Sequence, residues 1–265
     1  MEAFEFHQPA TVQAALALRA DTADGTYLAG GMTLIPTLKQ GLASPSDLID
    51  LSLIPDMVGI DAQADRVVIG AMTRHADVAG SEVLRKAIPA LAYLAGLIGD
   101  AQVRNRGTMG GSVANSDPSA DYPAAVVGLG ATIVTDRRGI AGDDFFTDLF
   151  ETALQPGELI RAISFPIPRR AAYRKFPNPA SRYAVVGVFV AQFEAGVRVG
   201  VTGAAPCAYR ATTIEQALAT RLAPDAVDAA AIDHDRFNSD MHASAEYRGA
   251  LVRVMARRAV EAMLA

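Results

Sequence analysis

Hydrophobic residues recur at helical spacing in some stretches of the chain and form short apolar runs in others. In residues 11–20, Val12, Ala15 and Leu16 repeat at the spacing of an amphipathic helix. Helices with similar periodicity, or with recognisable start and stop residues, are predicted over 34–40, 89–98 and 123–129. Apolar runs bounded by turn residues predict strands over 26–28, 48–51, 66–71, 131–135 and 159–165. Strands and helices therefore alternate through the first part of the chain.

The pattern changes near Pro166 and Pro168, which end the last of these strands. Beyond them, residues 173–176, 184–193 and 197–204 are predicted to form an antiparallel set, with a glycine-containing hairpin turn between the last two. Helices are predicted over 214–222 and 247–264, and the polar segment 232–245 is predicted to be a loop. A domain boundary is therefore expected just after Pro168.

Two short motifs place adjacent glycines where the chain leaves a strand or a loop. The first is Ala29-Gly30-Gly31, after the strand at 26–28, and the second is Gly110-Gly111, within the segment 108–121. Glycine tolerates positive φ and close approach of a ligand, and successive N–H groups in such a turn form an anion-binding concavity. The sequence therefore predicts two clamps on one phosphorylated ligand, with 100–107 as a loop that leads into the second.

Composition narrows the function classes. The net charge of −5 argues against nucleic acid binding, which needs an excess of Lys and Arg. Cys207 is the only cysteine, so no internal disulfide and no cysteine-ligated metal cluster is expected in this chain. No apolar run approaches the roughly 20 residues of a membrane span, and the N-terminal residues lack the features of a signal peptide. The expectation is a cytoplasmic protein with no membrane span.

A family resemblance rests on the glycine motifs and their surroundings. Residues 29–34 (AGGMTL), then 102–111 (QVRNRGTMGG), then 118–121 (PSAD) resemble the FAD-binding medium subunit of molybdenum hydroxylases. This is the family of xanthine dehydrogenase and aerobic carbon monoxide dehydrogenase, and the resemblance covers essentially the whole chain. It implies an α+β fold. A split FAD-binding domain of the PCMH type, in two subdomains at 1–57 and 58–167, would precede a C-terminal α+β domain at 168–265 with an antiparallel sheet and helices.

The same resemblance implies which residues contact FAD. The first loop would hold the diphosphate, mostly through backbone N–H groups, with the residues Ala29, Gly30, Gly31, Met32, Thr33 and Leu34. The second motif would contribute Thr108, Gly110, Gly111 and Ser112. Asp121 would contact the adenosine end of FAD, and Ile160 would lie against the cofactor. Lys175 would lie near the isoalloxazine ring, where a cation stabilises the anionic reduced flavin.

The implied function is electron transfer, with no catalytic residue and no metal in this chain. Electrons would pass from two [2Fe–2S] clusters of a small subunit to this FAD and then to NAD+, a quinone or another acceptor. The substrate would be hydroxylated on a large molybdopterin-binding subunit, and the complex would be a dimer of heterotrimers. Two alternatives stay open: a stand-alone FAD oxidoreductase of the same FAD-domain superfamily, and a non-catalytic scaffold subunit that has lost its flavin.

Several of these residues also have simpler interpretations. Asp121 fits a helix-capping role at the start of 123–129, which is compatible with an FAD contact. Lys175 is also typical of a solvated strand residue, and Gly110 and Gly111 are also typical of a tight turn. The segment 128–130 (GLG) resembles a dinucleotide fingerprint but is interpreted as a helix end, because Ile133 occupies the position of the last glycine.

Overall fold

The computed structural model describes residues 2–265. Its strands are β1 Glu5–His7, β2 Gly25–Leu28, β3 Asp47–Asp50, β4 Ile60–Ala62, β5 Arg66–Gly70, β6 Thr132–Thr135, β7 Gly139–Ala141, β8 Phe146–Asp148, β9 Glu151–Thr152, β10 Ile160–Pro166, β11 Arg170–Pro177, β12 Ala184–Phe193, β13 Gly196–Thr202 and β14 Tyr209–Arg210. Its α-helices are α1 Val12–Asp21, α2 Leu34–Lys39, α3 His75–Gly80, α4 Glu82–Ala87, α5 Pro89–Gly96, α6 Ala101–Arg106, α7 Met109–Asn115, α8 Tyr122–Leu129, α9 Gly142–Phe145, α10 Thr212–Thr220 and α11 Ala245–Leu264. The protein is thus a mixed helix and sheet structure.

The N-terminal unit is a parallel sheet with the strand order β1-β3-β2. Helix α1 begins at Val12 because the Thr11 hydroxyl accepts a hydrogen bond from the Ala14 N–H at 3.1 Å, a typical N-cap. The buried face of α1, with Val12 and Ala15, packs against β2 and β3. Strand β2 delivers the chain directly to the first glycine motif, at the C-terminal edge of this sheet.

The second sheet has five antiparallel strands in the order β4-β5-β10-β6-β7. Its centre is a row of three fully buried isoleucines, because Ile163 lies opposite both Ile69 and Ile133. Burial of each such side chain contributes about 1.5–3 kcal/mol relative to exposure. The six helices α3 to α8 lie between β5 and β6 in the chain and carry the second glycine motif.

The C-terminal sheet is antiparallel, with the order β11-β12-β13-β14. Helix α11 covers β11 and β12 on one face, and α8 packs on β12 and β13 from the other. This two-sided cover explains why β12 is an almost continuous apolar run and not an alternating one. Gly128 and Gly200 allow the close approach of α8, since a Cβ at Gly128 would lie 3.0 Å from the Phe189 carbonyl oxygen. The GLG segment is therefore a packing contact and a helix end, with Gly130 at φ +62°.

The segment predicted to be a loop before the second glycine motif is helical instead. Asp100 caps α6 by accepting a hydrogen bond from the Val103 N–H at 2.8 Å, and Thr108 caps α7 through the Gly111 N–H. Gly110 and Gly111 therefore lie inside a short helix and do not have positive φ values, and the prediction of a loop over 100–107 is wrong. In the first motif, Gly31 does have a positive φ, +73°.

Candidate functional site

A cavity of about 500 Å³ lies where the two glycine motifs meet. Of the predicted FAD-contacting residues, those that line this main cavity are Ala29, Gly30, Gly31, Met32, Thr33, Leu34, Thr108, Gly110, Gly111, Ser112, Asp121 and Ile160. Lys175 does not line it. Residues far apart in sequence thus converge on one concave surface, and their contacts with FAD stay predictions.

The first glycine motif presents a row of backbone donors. Within the described chain, the N–H groups of residues 30 to 34 make no hydrogen bond to a protein acceptor. Helix α2 begins at Leu34, and the Thr33 hydroxyl does not cap it, so the positive end of the helix adds to the same surface. A Cβ at Gly30 would collide with the Arg106 carbonyl oxygen and lie 2.7 Å from the Gly107 Cα. The motif is therefore an N–H cradle that closes only with glycine at position 30.

The second glycine motif has a different role from the one that the sequence predicts. The first N–H groups of α7 are already used: Met109 donates to the Thr73 carbonyl at 3.0 Å, and Gly110 donates to the Ala71 carbonyl at 2.8 Å. The Gly111 N–H donates to the Thr108 hydroxyl at 3.2 Å. The prediction of a second anion-binding concavity is wrong for these reasons.

Packing explains the glycines of this second motif. A Cβ at Gly110 would lie 2.5 Å from the Ala71 Cβ, which would push α7 away from the strand end beneath it. A Cβ at Gly111 would lie 3.2 Å from the Ala29 Cβ and 2.9 Å from the Thr108 hydroxyl oxygen. The second motif is thus a packing surface: its glycines allow α7 to lie close to Ala71 and to the first glycine motif.

One end of the cavity contains a buried ion pair. Lys175 Nζ donates to Asp121 Oδ2 at 3.0 Å, and the Tyr173 hydroxyl donates to Asp121 Oδ1 at 2.5 Å. Lys175 also donates to the carbonyls of Leu97, at 3.0 Å, and Arg182, at 2.8 Å. Burial raises the pKa of Asp121, and the adjacent ammonium opposes that shift. The Asp121 side chain makes no capping bond to α8, so the simple capping interpretation is wrong.

The ion pair also limits how FAD can be placed. The resemblance assigns Asp121 to the adenosine end and Lys175 to the isoalloxazine end, yet the two side chains are in direct contact. The ends of an extended dinucleotide cannot both lie at one ion pair, so the two assignments do not hold together. Lys175 is only 5% exposed, which also rules out its interpretation as a solvated strand residue.

A separate part of the cavity wall is mainly apolar. It is formed by Leu51, Met57, Leu154, Leu159 and Ile160. Glu158 lies beneath it and accepts hydrogen bonds from Arg138 and Thr135, which hold its pKa at about 2.

A tyrosine stands at the edge of this apolar wall. The Tyr27 hydroxyl donates to the Gly157 carbonyl at 3.1 Å, and burial raises the Tyr27 pKa to about 12. This part of the wall, called the apolar slot below, suits an uncharged ring.

Sequence reasoning missed some of the residues around the polar end. Ser181, Arg182 and Tyr183, from the loop between β11 and β12, line the cavity together with Asp117. Arg182 donates to the Gly99 carbonyl at 3.2 Å and has a φ of +63°. Burial raises the pKa of both Asp117 and Tyr183. Nothing in the local sequence of 178–183 indicates that this hairpin reaches a cavity made by another domain.

Two buried polar atoms beside the cavity have no hydrogen-bond partner within residues 2–265. They are Nδ1 of His75, which lines the cavity, and the hydroxyl of Tyr122, whose ring centroid lies 5.3 Å from that of His75. Burial, assisted by the charge of Arg104, lowers the His75 pKa to about 4. His75 is therefore neutral near pH 7 and has a hydrogen-bonding nitrogen to offer.

The surface suits a dinucleotide that carries a diphosphate. Unpaired N–H groups at 30 to 34 suit phosphate oxygens, and the apolar slot suits a ring. The cavity volume lies within the range of about 300–1,000 Å³ that is usual for cofactor sites. The described residues contain no group of three or more His, Cys, Asp or Glu able to hold a metal ion. In residues 2–265, no helix has the length and apolar character needed to cross a membrane.

Comparison with known proteins also indicates an FAD-binding subunit, and the matches extend over almost the whole chain. Residues 2–168 match the FAD binding domain in molybdopterin dehydrogenase, and residues 171–263 match the CO dehydrogenase flavoprotein C-terminal domain. The chain is 34% identical to the carbon monoxide dehydrogenase medium chain of Hydrogenophaga pseudoflava, over 98% of this chain and 96% of that one. It is 31% identical to the nicotine 6-hydroxylase medium subunit of Paenarthrobacter nicotinovorans, over 98% and 97%.

A solved structure extends the likeness to three dimensions. The carbon monoxide dehydrogenase of Hydrogenophaga pseudoflava, in a form that lacks the Mo-pyranopterin moiety, contains a chain that superposes with a TM-score of 0.92. The match covers 99% of this chain and 98% of that one, at 34% identity. The cavity, its N–H cradle and these matches together show that the chain belongs to the family of FAD-binding flavoprotein subunits of molybdenum hydroxylases, which are oxidoreductases.

Proposed function

We propose that this chain relays electrons through FAD from the [2Fe–2S] clusters of a small partner subunit to NAD+, a quinone or another acceptor. When bound, the flavin supplies the conversion between one-electron and two-electron transfer. The chain's own residues bind, orient and shield it. The N–H groups of residues 30 to 34 hold the diphosphate, and the apolar slot around Ile160 holds the adenine ring.

The isoalloxazine ring then belongs at the polar end of the cavity. That ring has carbonyl and N–H groups along one edge, and Asp117, Ser181 and Tyr183 offer matching polar groups there. This placement moves Asp121 to the isoalloxazine end, beside Lys175. The ammonium acts on the flavin only through its field, because its donors are bonded to Asp121, Leu97 and Arg182.

One observation favours a relay over an enzyme that acts on an organic substrate itself. Most of the ionisable side chains in the cavity are tied to protein partners: Asp121 to Lys175, Glu158 to Arg138, and Tyr27 to a carbonyl. No serine or cysteine of the cavity wall is hydrogen-bonded to a histidine within the described residues, so no activated nucleophile is present. The chemistry on a substrate therefore belongs to another chain.

The names of the relatives support a multi-subunit assembly, because they describe medium chains or medium subunits. We propose a cytoplasmic dimer of heterotrimers, with a large molybdopterin-binding subunit that hydroxylates the substrate and a small [2Fe–2S] subunit. The relatives named above belong to a carbon monoxide dehydrogenase and a nicotine 6-hydroxylase, so similar medium subunits occur in complexes with different substrates.

Co-expression with the neighbouring reading frames tests the proposal. The tagged chain should purify yellow, with one FAD per chain and with molybdenum and iron in subunits that remain bound after size-exclusion chromatography. A chain that purifies alone and whose flavin is reduced directly by an organic substrate would instead be the stand-alone oxidoreductase. A colourless chain within an intact complex would be the scaffold subunit.

A further inference from the structure

A second cavity lies beside the main one and shares part of its wall. This outer pocket, of about 240 Å³, is bounded by Ser119, Asn178, Asp240, His242 and Arg248. Asp117, Ser181 and Tyr183 line both cavities. The shared wall is therefore polar, and Asp117 is the carboxylate within it.

Asp117 differs from the other acids around the main cavity in its hydrogen bonds. Its Oδ1 accepts from the Ser119 N–H at 2.8 Å, whereas Oδ2 makes no hydrogen bond to any described residue. Asp121 is paired with Lys175, and both oxygens of Glu158 are occupied by Arg138, Thr135 and Gln155. Asp117 is thus the acid of the cavity wall that keeps an oxygen able to take up and give away a proton.

Asp117 forms no ion pair with a cationic side chain of the described residues, and its one side-chain hydrogen bond is to the Ser119 N–H. The nearby Arg182 guanidinium donates to the Gly99 carbonyl instead. The other titratable or charged side chains that line this part of the two cavities are those of Asp121, Arg182, Tyr183, Asp240, His242 and Arg248. Arg248 is bonded to Asp240 at 2.7 Å, and Asp121 is paired with Lys175, so these charges are compensated within their own pairs. Burial raises the pKa of Asp117, so the carboxyl exchanges its proton at a higher pH than an exposed aspartate does.

We propose that Asp117 is the proton-transfer residue that serves the flavin, with the outer pocket as its supply of protons from solvent. This inference rests on the proposed function, in which electrons arrive from iron–sulfur clusters without protons. Two electrons and one proton convert the oxidised ring to its anionic reduced form. The O–H bond of the Asp117 carboxyl breaks, an N–H bond forms on the ring, and the carboxylate regains a proton from water in the outer pocket.

The test uses the full-length, FAD-loaded chain, reduced by dithionite in stopped-flow absorbance measurements across a range of pH. Asp117→Asn keeps an oxygen that accepts from the Ser119 N–H, so it preserves the local turn and removes only the ionisable group. Asp117→Ser is a second non-ionisable variant with the same turn-forming capacity, and Asp117→Glu restores a carboxyl. Asp144→Asn, at an exposed position, is the matched control.

In the wild type, the rate of flavin reduction should fall as pH rises through the pKa of Asp117, with a solvent deuterium isotope effect. Both non-ionisable variants should reduce about 10²-fold more slowly at low pH, without this pH step or isotope effect, at full FAD content. Asp117→Glu and Asp144→Asn should retain the pH step.

Wild-type rates with an unchanged pH profile in Asp117→Asn would overturn the assignment. So would loss of FAD from both non-ionisable variants, because Asp117 would then be a binding residue. Failure of the proposed function looks different: the wild-type chain would hold no FAD, or would assemble with no iron-containing partner.

Discussion

At the scale of single residues, the two glycine motifs have different roles: the first presents free N–H groups, and the second packs against its neighbours. Gly30 faces backbone atoms that cannot move aside, the Arg106 carbonyl and the Gly107 Cα. Gly30→Ala should therefore open the N–H cradle and remove FAD from the purified chain. Gly80→Ala is the matched control, because a Cβ there meets nothing within 4 Å, and this variant should keep its full FAD content by absorbance. Equal FAD content in the two variants would show that the diphosphate lies elsewhere.

The buried ion pair predicts a pH-dependent loss of stability. Lys175→Met leaves the Asp121 carboxylate buried without its cation, which should cost about 3–5 kcal/mol of unfolding free energy near pH 7. Without the ammonium, the Asp121 pKa in the folded state rises further above its unfolded value. The protonated form is then favoured by folding, so the deficit of the variant should shrink as pH falls toward about 4.

Urea unfolding at several pH values measures this effect. The double variant Lys175→Met with Asp121→Asn should recover part of the loss at pH 7, because no buried charge is left uncompensated. A deficit that is the same at every pH, and is not relieved by the second substitution, would mean that Lys175 stabilises the protein through packing alone.

The stabilising effect of Glu158 should have the opposite pH dependence, because its pKa is lowered by folding and not raised. Its folded pKa is about 2, against an ordinary value of 4.5, so its contribution is present above about pH 4.5 and is lost as pH falls toward 2. A shift of this size corresponds to an upper limit on the order of 3 kcal/mol. Glu158→Gln should therefore be less stable than the wild type at pH 6, and this difference in denaturant midpoints should shrink steadily as pH falls from about 4.5 toward 2. A constant difference across this range would contradict the ion-pair origin.

At the scale of elements, the loop from α7 to α8 is held by the C-terminal sheet. The Thr202 hydroxyl, on β13, is placed against the carbonyls of Pro118, at 2.9 Å, and Ala120, at 2.7 Å. Thr202→Val preserves the shape but leaves a buried carbonyl unpaired, at a cost of about 1–3 kcal/mol. It should also weaken FAD binding, because Ala120 and Asp121 lie on this loop and line the main cavity.

Thr220→Val is the control for this prediction, since Thr220 is exposed at the end of α10. Its melting temperature and its affinity for FAD in a fluorescence titration should stay close to those of the wild type. Equal affinity in both variants would show that the loop does not depend on the C-terminal sheet.

Elements differ in how much of their structure is encoded by local sequence. Long, strongly patterned segments such as 184–193 and 247–264 were predicted close to their observed bounds, because their periodicity is local information. The short helix α6 was missed, although Asp100 is a good capping residue, because six residues carry too little periodicity to outweigh a loop. The occupied N–H groups of α7 depend on the carbonyls of Ala71 and Thr73, which are distant in sequence.

At the scale of the whole molecule, the cavity joins parts of the chain that would otherwise be separate units. Its walls come from the first sheet, the helices of the second unit and the hairpin of the C-terminal sheet. A second link lies away from the cavity: Arg198, on β13, donates to the Val127 carbonyl at 2.9 Å and pairs with Asp143. The glycine motifs were enough to predict the candidate site. Its polar end could not be predicted, because residues 181–183 of the C-terminal domain reach the cavity through tertiary packing that no local pattern encodes.

This architecture predicts strong coupling between FAD and folding. A ligand that binds only the folded chain at 100 times its Kd adds about 2.7 kcal/mol of stability. Added FAD should therefore raise the melting temperature of FAD-depleted chain in a single transition that includes the C-terminal domain. Two transitions, of which only one responds to FAD, would mean that the hairpin at 181–183 contributes nothing to binding.

The most direct test of the relay is electron flow through the complete complex with and without flavin. The co-purified complex and its Gly30→Ala counterpart are reduced with dithionite, freed of excess reductant and mixed with the electron acceptor, and the cluster absorbance is followed. The clusters of the wild-type complex should be reoxidised rapidly, and those of the flavin-free variant should stay reduced. Reoxidation at the wild-type rate without flavin would contradict the relay, because the electrons would then leave by a route that bypasses this chain.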